Sequence, residues 1–249
     1  MGEDVATTTF KEWAVINAGN ASGLHSQERV RQRGEGANKA LEILGILRAR
    51  IAKQDLPPGA KVREQDLAEE FDVPRPLVRE VFAALVQRGL IERIPNRGAV
   101  VTRMDLQQLL HIYGIREVLD GLCVRLATQN VPPESWQDLV DLFNGPMVQY
   151  VEESNLDAFI DGYDFFRRRV IDAAANPTLT EMLDGIWDKT QFLIRRIIIL
   201  PGRPKQGLAE HSAVLSAMRE GDASEAEVLR RENIRSAKET LARYQKYLV

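Results

Sequence analysis

The sequence predicts a mainly α-helical protein made of an N-terminal winged helix-turn-helix and a C-terminal antiparallel six-helix bundle. Between residues 64 and 101, two short amphipathic segments around a tight turn precede two β-type segments around a short loop. After residue 104 only helical periodicity is found, interrupted at connections rich in proline and glycine. We therefore divide the chain into a flexible arm at 1–36, the winged helix at 37–103 and the bundle at 104–249.

Composition and charge restrict the class of protein. The 249 residues suit two ordinary domains, and a net charge of -3 excludes a wholly basic nucleic-acid binder. Residues 75–103 nevertheless hold six arginines against two glutamates, the kind of local footprint on which DNA affinity depends. The lone Cys123 excludes an intramolecular disulfide, and no apolar run approaches the ~20 residues that span a bilayer. Since a signal-peptide core is also missing, we expect a cytoplasmic protein without a membrane partner.

Side-chain spacing predicts the elements of the winged helix. We expect helices at 38–52 and 64–71, a third helix that Gly89 ends, and strands at 91–94 and 99–101. In the third helix the apolar residues recur at the spacing of one buried face: Val78, Val81, Phe82 and Leu85. The loop between the strands is then a wing.

Arg75 and Arg79 lie on the opposite face of the third helix, one turn apart. A helix that presents arginines in this way, held on a partner helix, is how helix-turn-helix proteins enter the DNA major groove. A guanidinium also fits the O6 and N7 atoms of guanine with two hydrogen bonds. The alternative is an ordinary small helical domain with a solvated charged face.

Periodicity predicts six amphipathic helices in the C-terminal part, and their short connections indicate an antiparallel bundle. Their expected ranges are 105–129, 133–152, 156–174, 178–200, 206–220 and 223–247. On the third of these helices, steps of 100° place Arg167 in the middle of the apolar stripe and rotate Arg168 and Arg169 toward solvent. A buried guanidinium must be paired, because an isolated buried charge is very costly.

The segment LPPGAKVREQDLAEEFDVPRPLVREVFAALVQRGLIERIPNRGAVV resembles the winged helix of the GntR superfamily of bacterial transcription regulators. Many spaced elements agree in one order, including a Pro-Gly turn, a Leu-Ala pair and a Gly-containing wing. The resemblance implies that Gln65, Arg75, Arg79, Arg97 and Gly98 contact DNA. The expected partner is therefore a double-stranded operator.

Two positions of the recognition segment depart from this family. Where the family carries serine and threonine, this sequence has Pro74 and Pro76. Proline is tolerated there because the first N–H groups of a helix have no internal partner. The lost hydroxyl groups often cap the helix or hold phosphates, so the departure concerns the operator sequence and the strength of binding.

The C-terminal part resembles the FCD effector domain, which defines the FadR branch of this superfamily. The segments that carry the resemblance are IREVLDGLCVRLA with Arg116, FFRRRVIDAAANP, and EHSAVLSAMREGDASEA. Six helices would suit the VanR-like subgroup. The resemblance implies that this domain binds a small-molecule effector.

Many FCD domains bind a divalent metal through one aspartate and three histidines. The matching positions here are Tyr163, Arg167, His211 and Asn233, so that only one of four keeps its ligand. The whole chain has three histidines, and a single imidazole beside an arginine does not form the usual ligand set. We expect no metal and no other cofactor.

These substitutions suggest a different way to bind an effector. We hypothesise that Arg167 supplies the positive charge directly and forks onto a carboxylate of a small organic acid. The remaining candidate effector contacts are Arg116 as a second cation, and Tyr163, Gln191, His211 and Asn233 as hydrogen-bonding groups. In the alternative, Arg167 pairs with an internal acid such as Asp120 or Asp164, and the cluster is purely structural.

Joined, the two parts predict a bacterial transcriptional regulator, most readily a repressor, whose operator affinity a small organic acid changes. Because one winged helix makes few base contacts, we expect a homodimer on an inverted repeat. No Gly-rich phosphate loop, Gly-x-Ser-x-Gly elbow, His-Glu-x-x-His or Cys/His nucleophile arrangement indicates an enzyme. A metabolic enzyme and a non-catalytic DNA-architectural protein are the alternatives.

Overall fold

The computed structural model describes residues 28–95, 98–198 and 200–244, with side chains from residue 36 onward except at 192, 193, 195 and 196. Its contacts divide the chain into two compact units. The winged-helix unit consists of Gly23–Leu109 and Asp184–Ile194. The all-α unit contains Leu110–Leu183 and Arg195–Val249. Both names are used below for the described parts of these ranges.

Three helices and a three-stranded sheet form the winged-helix unit. The helices are α1 (Glu28–Lys53), α2 (Glu64–Glu70) and α3 (Arg75–Gln87), and the strands are β1 (Lys61–Val62), β2 (Ile91–Ile94) and β3 (Gly98–Val101). The sheet is antiparallel in the order β1-β3-β2, with Ile91 opposite Val101 and Ile94 opposite Gly98. The predicted wing hairpin is therefore present.

The core of this unit is the apolar face that the sequence predicts for α3. Val78, Val81, Phe82 and Leu85 are each at most 1% exposed and pack with α1 and β2. Burying each such side chain contributes ~1.5–3 kcal/mol, which fixes the orientation of α3 on its partners. Gly89 has a φ of 68°, a left-handed conformation that ends the helix at low cost. The outward face of α3 is thereby set.

Two elements of this unit differ from the sequence prediction. Helix α1 begins at Glu28, so it includes the last part of the segment interpreted as an arm, and residues 1–27 lie outside the described range. Strand β1 was not predicted, because two residues carry no readable alternation. It is held by a backbone ladder to β3, in which Lys61 lies opposite Val100.

The all-α unit is built from long and short helices joined by short connections. Its elements are α4 (Leu106–Asn130), a 3-10 helix (Pro133–Trp136), α5 (Gln137–Asn144), α6 (Pro146–Glu152), α7 (Leu156–Ala174), α8 (Pro177–Ile198), α9 (Arg203–Glu220) and α10 (Ala223–Arg243). Residues 106–109 of α4 and Asp184–Ile194 of α8 are counted with the winged-helix unit. Strands are limited, among the described residues, to the winged-helix unit.

The second predicted bundle helix is wrong as a single element. The range 133–152 contains the 3-10 helix, α5 and α6 instead. The break lies at Gly145, whose φ of -122° and ψ of -96° are not helical. Pro146 follows it, and a proline has no N–H for the preceding turn and disfavours a helical residue before it. The other predicted bundle helices agree with the structure to within a few residues at each end, except that the predicted end of the last one, at 247, lies outside the described residues.

The segment Asp184–Ile194 groups with the winged-helix unit, and an ion-pair cluster joins them. The carboxylate of Asp188 accepts a hydrogen bond from Arg48 Nε at 2.8 Å and another from Arg88 Nη1 at 2.7 Å. Its side chain is 1% exposed, so these partners are what makes its burial tolerable. Arg88 is thus held by an internal carboxylate that it shares with Arg48, so its guanidinium is not the unpaired charge that the sequence count assumed.

Within the described residues, none of the helices combines the length and the apolarity that crossing a membrane requires.

Candidate functional site

Helix α3 presents Arg75 and Arg79 to solvent, as the sequence predicts. Arg75 is the first residue of the helix, and Pro74 at the N-cap makes no side-chain cap hydrogen bond. The first N–H groups of α3 therefore have no side-chain acceptor from the cap. The positive end of the helix dipole favours a phosphate beside the arginines, although Pro76 has no N–H and the N–H of Leu77 already donates to the carbonyl oxygen of Pro74 at 3.0 Å.

A cleft of about 750 Å³ lies between the start of α3 and the wing. Its charged lining residues are Lys61, Arg63, Arg75 and Arg93 against a single carboxylate, Glu64. The remaining lining comes from β1, α2, α3 and the hairpin: Val62, Gln65, Phe82, Ile94, Pro95, Gly98 and Ala99. A concave surface with a positive excess next to a recognition helix suits a polyanion.

Glu64 holds two of the arginines on this surface. Its Oε2 accepts a hydrogen bond from Arg79 Nε at 3.0 Å, and its Oε1 accepts one from Arg93 Nη2 at 3.4 Å. The side chains of Arg79 and Arg93 are 63% and 60% exposed, so both remain within reach of DNA. Glu64 therefore positions these two guanidinium groups and competes with phosphate for them.

We expect the variant Glu64→Gln to bind unrelated DNA more tightly, by roughly 3- to 10-fold at low salt, because one negative charge leaves the cleft. Discrimination between operator and unrelated DNA should fall, since Arg79 and Arg93 lose their fixed direction. Fluorescence anisotropy with both duplexes measures the two affinities. Equal tightening on both duplexes would show that Glu64 only repels DNA and does not position the arginines.

The other predicted DNA contacts are arranged as follows. Gln65 is exposed beside the cleft, and its amide donates to Glu69 Oε1 at 2.9 Å. Gly98 is exposed at the wing with a φ of 83°, a conformation that favours glycine. Arg97 lies outside the described residues. The assignment of these residues to DNA stays a prediction.

A buried polar cluster occupies the all-α unit. Arg116 on α4 is 4% exposed, and its Nε donates to Asp120 Oδ2 at 3.1 Å. Its Nη2 donates to the hydroxyl of Tyr163 on α7 at 3.3 Å. Burial alone would raise the pKa of Asp120, but the guanidinium groups of Arg116 and Arg230 outweigh it and lower the pKa to about 2.

Arg230 on α10 is the centre of this cluster and is 2% exposed. Its Nη1 donates to Asn233 Oδ1 at 2.7 Å and to His211 Nε2 at 3.1 Å. Its Nη2 donates to Asp120 Oδ1 at 2.6 Å and to the hydroxyl of Tyr163 at 3.4 Å. One guanidinium thus joins side chains from α4, α7, α9 and α10.

Glu210 extends the cluster toward the surface. Its Oε2 accepts from Asn233 Nδ2 at 2.7 Å and pairs with Arg203 Nη1 at 3.0 Å. Its Oε1 accepts from the hydroxyl of Ser236 at 2.6 Å. The amide of Asn233 therefore links the Asp120–Arg230 pair to the Arg203–Glu210 pair.

His211 is a neutral, fixed imidazole. Its Nδ1 lies 2.7 Å from the carbonyl oxygen of Gly207, so Nδ1 carries the proton and Nε2 accepts from Arg230. Phe143 stacks on the ring with centroids 5.7 Å apart. Burial, and then the charge of Arg230, lower the pKa of His211 to about 3.

This low pKa predicts acid destabilisation. In the unfolded protein the imidazole is protonated below its ordinary pKa of 6.5, whereas in the folded protein it stays neutral until the pH nears 3. The free energy of unfolding therefore decreases as the pH falls from 6.5 toward 3. From pH ~7.5 to ~5 the loss is about 2 kcal/mol. Denaturant melts of His211→Gln should show a flatter pH dependence than those of the wild type. An equal slope in the two proteins would contradict the prediction.

Four of the six predicted effector contacts come together in this cluster: Arg116, Tyr163, His211 and Asn233. Arg167 is buried on the predicted stripe at 9% exposure, whereas Arg168 is exposed. Arg169 was predicted to point toward solvent, but it is partly buried and pairs with Asp138. Gln191 is half-buried within Asp184–Ile194, the segment that groups with the winged-helix unit and not with the cluster.

The sequence interpretation missed Arg230 and Glu210 as site residues. Arg230 follows Ala226 by four residues and precedes Asn233 by three, so these three residues share one face of α10, which is buried. Helical spacing alone could have found it. Glu210 was noted only as part of a motif, although it directly precedes His211.

The residues at the family's metal positions do not form a suitable donor set. Among the described residues, no three side chains of the His, Cys, Asp and Glu types come together in a way that could hold a metal ion. The lone pair of His211 Nε2, which a metal would need, accepts from Arg230. Asn233 Oδ1 is engaged by the same guanidinium.

A winged helix with an arginine-bearing recognition helix, in one chain with a helical unit that holds a buried polar cluster, defines an effector-type DNA-binding regulator. The chain belongs to the GntR family: residues 39–101 match "Bacterial regulatory proteins, gntR family", and residues 111–236 match the FCD domain. It is therefore a transcriptional regulator and not an enzyme.

Individual relatives agree with this assignment. The HTH-type transcriptional repressor RspR of Escherichia coli K12 is 26% identical over 189 residues, which cover 74% of this chain and 81% of RspR. The HTH-type transcriptional regulator McbR of the same strain is 26% identical over 147 residues, or 59% of this chain and 66% of McbR. The solved structure of E. coli McbR matches with a TM-score of 0.70 at 22% identity, covering 84% of this chain and 98% of that one, which shows the fold.

Proposed function

We propose that this regulator acts in the cytoplasm as a homodimer on an inverted-repeat operator and represses transcription until a small organic acid binds the all-α unit. One observation supports this proposal most strongly. Two buried guanidinium groups, Arg116 and Arg230, share a single carboxylate, Asp120. A buried site with such an excess of positive charge favours an anion.

The DNA half of the proposal rests on Arg75 and Arg79. Both are exposed on one face of α3, next to a cleft with a positive excess. One recognition helix reads only a few base pairs, so two copies related by a two-fold axis are needed for operator specificity. The half-sites should then lie about one helical turn apart, or a multiple of it.

The effector half rests on the electrostatics of the cluster. Burial would raise the pKa of Tyr163, but Arg230 and then Arg116 lower it below its ordinary value. The environment of this hydroxyl therefore stabilises negative charge. The charge of Arg167 also contributes to the low pKa of Asp120, which places a third guanidinium within electrostatic reach. An effector carboxylate would replace part of these internal contacts and be held by such groups through charge-assisted hydrogen bonds.

A ligand changes DNA affinity only as far as it binds one conformation of the dimer more tightly than another. Coupling of 1–3 kcal/mol, or about 5- to 150-fold in affinity, is usual for such regulators. We therefore expect the correct acid to weaken operator binding by about tenfold or more. Small carboxylic acids that raise the midpoint of thermal unfolding are the first candidates for this test.

The variant Arg167→Leu tests the assignment of the effector site. We expect its operator affinity without effector to stay within about twofold of the wild type, and the effector-induced change to fall below twofold. The matched control is Arg168→Leu, which removes the same charge from the exposed face of α7 and should keep the full response. A full response in Arg167→Leu would favour the alternative in which Arg167 serves an internal ion pair in a purely structural cluster.

A further inference from the structure

We propose that Arg230 is the resident cation of the all-α unit, a guanidinium that performs the structural work for which relatives use a divalent metal. This inference concerns the folded protein itself and does not depend on the identity of any effector. It follows from the geometry around Arg230, from the state of His211 and from the charge of the cluster.

The geometry around Arg230 is that of a central cation with ligands from several elements. Asp120, Tyr163 and His211 come from α4, α7 and α9, and Asn233 lies on the same helix as Arg230. All four contacts fall between 2.6 and 3.4 Å from Nη1 or Nη2. The two terminal nitrogens carry four N–H groups, so each contact uses one of them. These contacts use all four N–H groups of the terminal nitrogens and join four helices.

Three of these contacts fall on family metal positions, namely Tyr163, His211 and Asn233. In each of these three side chains, one polar atom accepts a hydrogen bond from the guanidinium of Arg230. Asp120, which also pairs with Arg116, lies 2.6 Å from it and supplies negative charge to both. One side chain thus provides a positive charge and the fixed geometry around which this part of the bundle is arranged.

A divalent ion at this position would have to displace the guanidinium of Arg230 from its four contacts. His211 uses Nδ1–H on the carbonyl of Gly207, so that Nε2 is its one free lone pair, and Arg230 takes it. Arg116 is also buried beside the same carboxylate and would repel a second cation. The guanidinium and the metal are mutually exclusive here.

The first experiment uses the wild-type protein. The protein is purified without a metal-chelate column, and its metal content is measured by elemental analysis. We expect well below one equivalent of Zn²⁺, Ni²⁺, Mn²⁺ or Fe²⁺ per chain. Equimolar Zn²⁺, Ni²⁺ or Mn²⁺, and EDTA, should each change the unfolding midpoint by less than about 1 °C. One equivalent of bound metal, or a midpoint raised by metal and restored by EDTA, would overturn the proposal.

The second experiment removes the guanidinium. Arg230→Ala should unfold roughly 10 °C lower than the wild type, because the carboxylate of Asp120 loses a buried partner. The matched control is Arg235→Ala, on the same helix, whose exposed guanidinium pairs with Glu117 of α4 and whose loss should change little. Methylguanidinium at about 20 mM should raise the midpoint of Arg230→Ala alone.

Either of two results would overturn the structural role of Arg230. One is an Arg230→Ala protein as stable as Arg235→Ala, and the other is a loss that methylguanidinium does not reduce. If Arg230→Ala does not fold, Arg230→Lys replaces it, and we expect a midpoint below the wild type, because an ammonium has three N–H groups for four partners. An Arg230→Lys protein of unchanged stability would then contradict the proposal.

Discussion

Replacing Asp120 by asparagine is expected to lower the free energy of unfolding by about 3–5 kcal/mol. The variant keeps the size of the side chain but leaves Arg116 and Arg230 buried without their shared carboxylate. Both guanidinium groups are less than 5% exposed, so water cannot replace the lost partner. Denaturant melts followed by circular dichroism measure the difference.

The control for this prediction is Glu117→Gln. Glu117 lies on the same helix and also pairs with an arginine of α10, Arg235, but that arginine is half-exposed. Its loss should leave the unfolding midpoint unchanged within error, since surface ion pairs contribute little. If Asp120→Asn and Glu117→Gln were equally stable, the buried cluster would not be the electrostatic centre of the all-α unit.

Replacing Arg75 by alanine is expected to weaken operator binding by roughly 10- to 100-fold, equivalent to about 1–3 kcal/mol. Arg75 is the first residue of α3, is exposed and lines the cleft, and none of the described ion pairs engages it. Its guanidinium is thus available for two hydrogen bonds to a guanine. A loss of that contact should also relax the preference for the base concerned.

Anisotropy titrations of Arg75→Ala against the operator and against single-base variants measure both effects. Lys39→Ala, on α1, is the control, because it removes one positive charge outside the cleft. A uniform loss on all duplexes with a smaller salt dependence would assign Arg75 to phosphate and not to a base. An unchanged affinity would exclude it from the interface.

Local patterns predicted much of the fold because both parts bury one face of each helix. The stripe of α3 and the position of Arg167 follow directly from a 3.6-residue period, and the structure places them as expected. The wing hairpin follows from two short apolar runs around a proline- and glycine-containing loop. Such features depend on neighbours in the sequence.

Features that depend on distant partners could not be predicted in the same way. Asp188 finds Arg48 and Arg88 at separations of 140 and 100 residues, and periodicity has no access to such a pairing. Strand β1 exists only because β3 offers a ladder. The break at Gly145 was readable from the following proline, but strong apolar spacing on both sides concealed it.

The candidate effector site shows the same division. Burial of Arg167 was predicted from its helix, whereas the role of Arg230 required knowing which groups α4, α7 and α9 bring to it. An arginine next to another arginine, as in Arg230 and Arg231, is ordinarily interpreted as a solvated surface. Only the Asp120 carboxylate, from 110 positions earlier in the chain, makes its burial tolerable.

Operator recognition by this chain depends above all on Arg75 and Arg79 of α3 reading base pairs. The most direct test is an anisotropy titration of the full-length protein with a duplex from the region upstream of its own gene and with a shuffled duplex, at about 50 and 200 mM salt. We predict a preference of at least ~10³ for the upstream duplex, and an affinity that falls linearly with salt on a logarithmic scale. Equal affinity for both duplexes, or no binding at low salt, would contradict it.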